Sequence, residues 1–264
     1  MSPAASGASF FRIPFPRIAT RRANRSSNQH RPELNWPELN RKGEALMKFA
    51  VAAVAIIAFV AWAGSPNSYA SDGNNLSSVN GSVRAEPGST YHEVSAVNGN
   101  VRVGSRAAAN EVHTVNGEIV VEDEAKLGEV ETVNGSLEIG DSVTVERTAS
   151  TVNGSVEIGK GSKIGGDVST VSGEIELKGA EIKGSVVTRN GDIELTDGAR
   201  VGGGIHVKKN NGSNWNWGKE DVLKVHVCST CVVEGELRFE RPVELHVEDG
   251  AKIGRVVGDS VTRR

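Results

Sequence analysis

Apolar and polar residues alternate between residues 78 and 207 in short runs that recur with a fixed period. Each run follows a Val-Asn-Gly triplet or a degenerate copy of it, and successive copies lie 18, 18, 18, 19, 19 and 18 residues apart. Short alternating runs that are broken by Gly and Asn predict β-strands with one buried face. A recurrence this short and this regular is typical of a solenoid.

Aligning the copies places apolar residues in four columns, two after each Gly and two around the following turn. The columns are Val83, Val101, Ile119, Leu137, Val156, Ile175 and Ile193; Ala85, Val103, Val121, Ile139, Ile158, Leu177 and Leu195; Leu127, Val145, Ile164, Ile182 and Val201; and Val94, Val112, Val130, Ala149, Val168 and Val186. Coils that stack about 4.8 Å apart would turn these columns into inner walls. The sequence therefore predicts an all-β fold, a single β-solenoid (parallel β-helix) with coils of about 18–19 residues.

The Asn-Gly pairs are predicted to be structural turns. Both residue types tolerate positive φ, so each pair can turn the chain sharply at a corner, and stacked Asn side chains can form an amide ladder. Asn-Gly also marks tight hairpins, but the apolar columns favour the solenoid over a string of antiparallel hairpins. Within the repeat the pairs are Asn80-Gly81, Asn98-Gly99, Asn116-Gly117, Asn134-Gly135, Asn153-Gly154 and Asn190-Gly191.

The Val-Asn-Gly-Ser-Val-Glu-Ile phrase at 152–158 resembles the bacterial adhesin family of β-strand repeat proteins, in which the word adhesin is itself an assignment by analogy. The resemblance covers about Leu76 to Val257 and implies an exported or membrane-linked protein. Segments 161–168 and 198–205 also resemble bactofilins, which are polymer-forming β-helical scaffolds. Neither resemblance implies a catalytic residue.

The N-terminal part has a different composition. Residues 1–46 are rich in Arg, Ser, Asn and Pro and have no period, so we interpret them as disordered or as lying upstream of the true start at Met47. Residues 47–70 have the basic start, apolar centre and small terminal residues of a signal peptide, with cleavage expected after Ala70. The alternative is an Arg-rich cytoplasmic tail on an uncleaved anchor, although the apolar run of about 15 residues is short for a membrane-spanning helix.

Segment 71–264 is predicted to be the solenoid domain, with an inserted loop at 208–221 and the last coil near Val257. It holds 21 Lys and Arg against 30 Asp and Glu, a formal net charge of −9. Because nucleic-acid phosphates require Lys and Arg, this balance argues against a nucleic-acid partner. The two ends of the segment look too short and polar to cap the coils well. We expect the exported protein in the periplasm or at the cell surface.

The two cysteines form a Cys228-Ser-Thr-Cys231 motif. Haem attachment would need a His after the second Cys, and a zinc site would need a second pair of ligands. A structural disulfide in an oxidising compartment is the preferred interpretation, and a redox or metal role is the alternative.

Two sets of polar residues could bind ions. His206, His226 and His246 lie 20 residues apart, but they do not all align, so we expect solvated strand residues rather than a metal site. A carboxylate column is better aligned and is a weak candidate for Ca²⁺, although a solvated face that opposes aggregation is preferred. Its members are Glu138, Glu157, Glu176 and Glu194, with Glu174 and Asp192 beside them.

Trp215 and Trp217 in the inserted loop are candidate residues for binding a glycan or a protein, since two indoles on one side of an extended segment offer a flat apolar surface. They could equally fold back over the solenoid. No catalytic residue, cofactor or metal site is predicted. The preferred function is an exported, non-enzymatic β-solenoid of the cell envelope for adhesion or for binding a protein or glycan. The alternatives are a self-assembling scaffold and a polysaccharide-active enzyme.

Overall fold

The computed structural model describes residues 70–72, 74–209, 222–258 and 261–263, with backbone alone at 70–72 and 262–263. All of these residues belong to one compact unit, Leu46–Arg264. Within them every regular element is a β-strand, so this part of the chain contains no helix that could cross a membrane. The upstream segment, the signal peptide and most of the inserted loop lie outside the described residues and remain predictions.

The strands are short and follow one another closely. The first are β1 (Ala70–Asp72), β2 (Asn75–Asn80), β3 (Val83–Ala85), β4 (Thr90–Asn98), β5 (Val101–Val103), β6 (Ala108–Asn116), β7 (Ile119–Val121), β8 (Lys126–Asn134), β9 (Leu137–Ile139), β10 (Thr144–Val145), β11 (Ala149–Asn153), β12 (Val156–Ile158), β13 (Lys163–Ile164) and β14 (Val168–Ser169). The others are β15 (Ile175–Lys178), β16 (Glu181–Ile182), β17 (Ser185–Thr188), β18 (Ile193–Thr196), β19 (Arg200–Val201), β20 (Gly204–Val207), β21 (Leu223–Val227), β22 (Val232–Val233), β23 (Glu236–Phe239), β24 (Val243–Val247), β25 (Lys252–Ile253), β26 (Val256–Val257) and β27 (Val261–Arg263).

The strands form two sheets that the chain visits alternately. Sheet B contains ten strands, β3, β5, β7, β9, β12, β15, β18, β21, β24 and β27, and sheet A contains the other seventeen. Each strand pairs with its equivalent in the next coil, and among the described residues β1 with β2 is the one antiparallel pair. The solenoid prediction is therefore confirmed, and the hairpin alternative is wrong.

The core lies between the two sheets and consists of the predicted columns. Val156 pairs directly with Ile175 of the next coil, and Ile158 with Leu177, so aliphatic side chains stack on aliphatic side chains. All members of the four predicted columns are buried. Burying each Val, Ile or Leu stabilises the fold by about 1.5–3 kcal/mol before the entropy of ordering the chain is subtracted.

Sheet A bends at a segment that we call the elbow, and its lengthening by one residue changes the period from 18 to 19. In the early coils two residues form the elbow, such as Gly128 and Glu129 between Leu127 and Val130. In the next five coils three residues form it, beginning with 146–148, and in the last described coil two residues, Gly254 and Arg255, form it again. The additional residue interrupts the ladder, because Glu146 N–H bonds to Leu127 O while Val130 N–H bonds to Thr148 O. The nine-residue strands β4, β6 and β8 thus give way to pairs of shorter strands.

Both ends of the described solenoid carry a short additional strand. β1 covers the start of β2, where Ser71 pairs with Leu76, and β27 covers β24, where Val261 pairs with Val243. The coils therefore continue beyond Val257, the last position that the sequence indicated. A strand of three residues therefore covers part of the N-terminal edge of sheet A, and another covers part of the C-terminal edge of sheet B.

Candidate functional site

The Asn-Gly corners join sheet A to sheet B, and three stacked columns build them. The Asn side chains form a continuous ladder, in which Nδ2 of each Asn donates to Oδ1 of the Asn one coil earlier, at 2.9–3.1 Å from Asn80 to Asn153. Inward-facing Thr residues at 114, 132, 151 and 170 donate to Gly carbonyls at the corner of the preceding coil. Sequence reasoning missed the Thr column, although Thr precedes Val-Asn-Gly in three of the copies.

The glycines at these corners are needed for close stacking more than for a left-handed backbone. A Cβ on Gly135 would lie 1.8 Å from Gly117 O, and one on Gly99 would lie 2.1 Å from Gly81 O. None of the described Asn residues in the pairs has a positive φ, so within these corners positive φ is confined to glycine, at Gly81 and Gly154. The turn from sheet B back to sheet A also carries positive φ, and there it includes non-glycine residues: the set is Gly88, Arg106, Glu124, Ser142, Gly161, Gly179, Asp197, Gly198 and Gly250.

The glutamates of the predicted column lie in register on the outer face of sheet B. Glu138 pairs with Glu157, Glu157 with Glu176, and Glu176 with Glu194. Lys178 contacts Glu157 and lies 3.2 Å from Glu176, and these hydrogen bonds, first that of Glu157, raise the pKa of Lys178. Sequence reasoning did not single out this lysine. Beside the column, burial and then the Glu194 carboxylate raise the pKa of Glu174.

An ammonium group therefore lies between two of these carboxylates, where the sequence suggested a cation. Within 74–209 and 222–258, no group of three or more His, Cys, Asp or Glu side chains is arranged to hold a metal ion. The calcium hypothesis for the glutamate column consequently has no support from the geometry.

Two of the three histidines come together. His226 pairs with His246, with ring centroids 5.2 Å apart, whereas His206 lies on sheet A between Val187 and Arg238. His226 Nε2 is 3.0 Å from Glu248 Oε1, and its Nδ1 is 3.6 Å from Glu194. Burial first, and then Arg238, lower the pKa of His206.

Cys228 and Cys231 are at disulfide-bonding distance, with Cα atoms 5.1 Å apart. They lie in a turn from sheet B to sheet A, where Cys231 occupies the buried position that Ala107, Ala125 and Ala199 fill in other coils. The Ser229 N–H within this turn donates to Glu248 at 2.9 Å. The pair thus closes a standard turn of the solenoid, as expected of a structural disulfide.

The densest group of interacting charges was missed by sequence reasoning and lies on the outer face of sheet A. We call it the junction cluster: Glu111, His113, Glu129, Glu131 and Arg147. Arg147, from the first three-residue elbow, folds back so that its Nε lies 3.1 Å from Glu129 and its Nη2 3.8 Å from Glu111. His113 lies between Glu111 and Glu131, at 3.6 and 3.9 Å.

The two central carboxyl groups of the junction cluster titrate far apart. Burial, and then the neighbouring Glu129 carboxylate, raise the pKa of Glu131 to about 7. Although burial acts in the opposite direction, hydrogen bonds from Thr148 and Arg147 lower the pKa of Glu129. At pH values between the two pKa values, the pair therefore holds one proton, which Glu131 carries beside an ionised Glu129.

A surface groove of about 320 Å³ runs beside the cluster along the elbow. Its lining includes Tyr91, Asn110, Lys126 and Glu146, and Arg147 reaches its edge by donating to Asn110 O at 3.4 Å. Recurrence of Glu at 111 and 129, one coil apart, was a signal for this cluster in the sequence. Arg147 gave no such signal, because it lies in the lengthened elbow, which has no equivalent in the preceding coils.

Trp215 and Trp217 fall outside the described residues, so their proposed role in binding remains a prediction. No protein-family model matches the chain, and no curated protein or solved structure matches it either. Any functional assignment therefore rests on the residues of this chain and their geometry.

Proposed function

We propose that this chain is an exported, non-enzymatic β-solenoid of the cell envelope whose outer face binds a protein or glycan partner. The observation that carries the proposal is the column of four glutamates in register on sheet B. The resemblance of the repeat phrase to adhesin-type repeat proteins supports export and binding.

The glutamate column has the properties of a binding surface for a cationic partner. Its side chains are about 4.8 Å apart along a rigid sheet, so binding would order few side chains and cost little entropy. Glu174 and Asp192 add negative charge next to it, while Lys178 neutralises part of its centre. A partner that places Lys or Arg, or an amino sugar, opposite the column would gain electrostatic complementarity.

The binding proposal can be tested by sedimentation with purified cell-wall sacculi and with washed envelope membranes. We expect binding that weakens with salt and that falls about tenfold in a triple variant of Glu138→Gln, Glu157→Gln and Glu194→Gln. The control removes the same charge from sheet A through Glu146→Gln, Glu181→Gln and Glu234→Gln. Equal binding by the two triple variants would contradict a specific role for sheet B.

Export can be tested by fractionating cells and measuring the intact mass of the native protein. We expect a chain that starts at Ser71, is found in the envelope or periplasm, and carries the Cys228–Cys231 disulfide. A chain that retains residues 1–46 in the inner membrane would instead favour the anchored alternative.

The junction cluster favours a second candidate, a polysaccharide-active enzyme. The cluster places a carboxyl group of raised pKa, Glu131, beside one of lowered pKa, Glu129, and acid–base catalysis on a sugar needs one proton donor and one proton acceptor. The adjoining groove would hold the sugar chain. This candidate requires wild-type protein to release reducing ends from a panel of envelope polysaccharides, with loss of activity in both Glu131→Gln and Glu129→Gln. An inactive wild type across the panel would leave binding as the function.

A further inference from the structure

The six described Asn-Gly pairs share a sequence but not an environment. Asn-Gly is the dipeptide in which a backbone nitrogen most readily attacks the preceding side-chain amide, because Gly places no side chain in the way. Whether the attack occurs in a folded protein depends on what holds the Gly N–H and the Asn amide. The six pairs can therefore be compared with one another by the hydrogen bonds that these two groups make.

In five of the pairs, both the Gly N–H and the Asn side chain are hydrogen-bonded to neighbouring coils. The Gly N–H at 81, 99, 117, 135 and 154 donates to a carbonyl of the next coil at 2.8–3.0 Å. The Asn side chains of the same five pairs belong to the amide ladder. Attack at these sites requires local opening of the solenoid, which costs free energy.

Asn190-Gly191 differs in both respects. Ser172 replaces Asn between Asn153 and Asn190, so the ladder stops before Asn190. Among the described residues, nothing accepts a hydrogen bond from Gly191 N–H or from Asn190 Nδ2. The Asn190 side chain is exposed, so water can reach it.

A cation lies at the side-chain carbonyl of Asn190. Arg241, which is only 9% exposed, donates from Nη1 to Arg189 O at 2.8 Å and lies 3.5 Å from Asn190 Oδ1. The first bond fixes the guanidinium, and the second places positive charge at the oxygen on which negative charge develops when Cγ is attacked. Stabilisation of such an oxyanion by a fixed donor accelerates acyl transfer.

We propose that Asn190-Gly191 is a self-modification site, at which Gly191 N attacks Asn190 Cγ while Arg241 stabilises the oxyanion. The N–Cγ bond forms, the Gly191 N–H proton passes to water, and the Cγ–Nδ2 bond breaks as Nδ2 gains a proton and leaves as ammonia. Water then opens the cyclic imide to aspartate or isoaspartate. An aspartate at 190 places a carboxylate opposite Arg241 and links coils that are about fifty residues apart.

The test is to hold the folded full chain in mildly alkaline buffer and to follow each Asn-Gly tryptic peptide by mass spectrometry. Cleavage at Lys and Arg puts every Asn-Gly pair on its own peptide, and 190–200 carries Asn190. We expect conversion at Asn190 to be about tenfold faster than at Asn116 or Asn134, less than a full enzymatic oxyanion donor provides. In urea the peptides should convert at similar rates. Conversion of Asn190 no faster than Asn116 in the folded protein would overturn the proposal.

Two variants separate the causes. Arg241→Gln removes the cation and should slow conversion at Asn190, while Arg241→Lys should retain part of the acceleration. Ser172→Asn extends the amide ladder to Asn190 and should slow conversion without touching Arg241. With the fold verified by circular dichroism, an unchanged rate in Arg241→Gln would overturn the role of the cation, and an unchanged rate in Ser172→Asn would overturn that of the interrupted ladder.

Discussion

The coils with two-residue elbows and those with three-residue elbows differ in how sheet A bends around the core. In the first group, the long-strand section, sheet A runs without interruption through β4, β6 and β8. In the second, the split-strand section, Gly residues stack at the elbow, and a Cβ on Gly235 would lie 2.2 Å from Gly203 O. Extended strands need few glycines, whereas a sharp bend brings backbone against backbone.

The turns from sheet B to sheet A also differ along the chain. The left-handed position is occupied by Gly88, Arg106 and Glu124 ahead of β4, β6 and β8, and by Ser142, Gly161, Gly179, Gly198 and Gly250 ahead of split strands. Non-glycine residues in this conformation are strained. Strain therefore concentrates in three consecutive turns, at Arg106, Glu124 and Ser142, of which the last leads into the split-strand section. In the later turns with positive φ, glycine takes this position, and Asp197 is a further strained residue beside Gly198.

The largest expected effect comes from filling the stacked elbow. Gly235→Ala should lower the free energy of unfolding by about 3 kcal/mol, since its Cβ meets a backbone carbonyl that cannot move without shifting a coil. Gly161→Ala is the control, with no atom closer than 3.5 Å to the new Cβ but a φ of 73°; it should cost about 1 kcal/mol. Urea unfolding measures both, and equal losses would contradict backbone stacking at the elbow.

At the boundary between the sections, Glu131 should make stability depend on pH. Because its folded pKa is raised to about 7, the folded state holds a proton that the unfolded state releases near 4.5, so stability falls as pH rises between these values. Glu131→Gln should remove about 3 kcal/mol of this dependence. Glu138→Gln on sheet B is the control. A pH profile unchanged by Glu131→Gln would show that the Glu129–Glu131 pair does not share its proton.

In the split-strand section, reduction of Cys228–Cys231 should lower stability by about 2 kcal/mol, the loop-closure contribution of a very short loop. The equivalent turns of the long-strand section close on Ala107 and Ala125 without a disulfide. Unfolding with and without reductant measures the effect, and the Cys228→Ala, Cys231→Ala double variant should not respond to reductant. An unchanged unfolding midpoint of the wild type under reductant would indicate that the turn is stable without the disulfide.

The smallest effect should come from relieving turn strain in the long-strand section. Glu124→Gly should raise stability by about 1 kcal/mol, because Glu124 has a φ of 61°. Glu124→Ala removes the same charge without relieving the strain and should not stabilise. Hydrogen exchange would localise the gain to β7 and β8. If both variants gained stability equally, the gain would come from removing the charge and not from relieving the backbone.

The sequence predicted the parts of the molecule that repeat. Val156, Ile175 and Ile193 lie in one column because residues one period apart must stack, and the glutamates on the opposite face follow from the alternation of a strand. The amide ladder and the disulfide turn were likewise visible, since each depends on residues at fixed spacing.

The tertiary structure decided what depends on departures from the period. An additional residue at the elbow brought Arg147 onto Glu129, and the substitution of Ser172 for Asn ended the ladder before Asn190. It also placed non-glycine residues such as Glu124 in the left-handed conformation at the turns from sheet B to sheet A, whereas at the Asn-Gly corners it stacked the glycines backbone against backbone. A regular period determines which residues stack, but side-chain reach, burial and close backbone contact exist only once the coils are assembled.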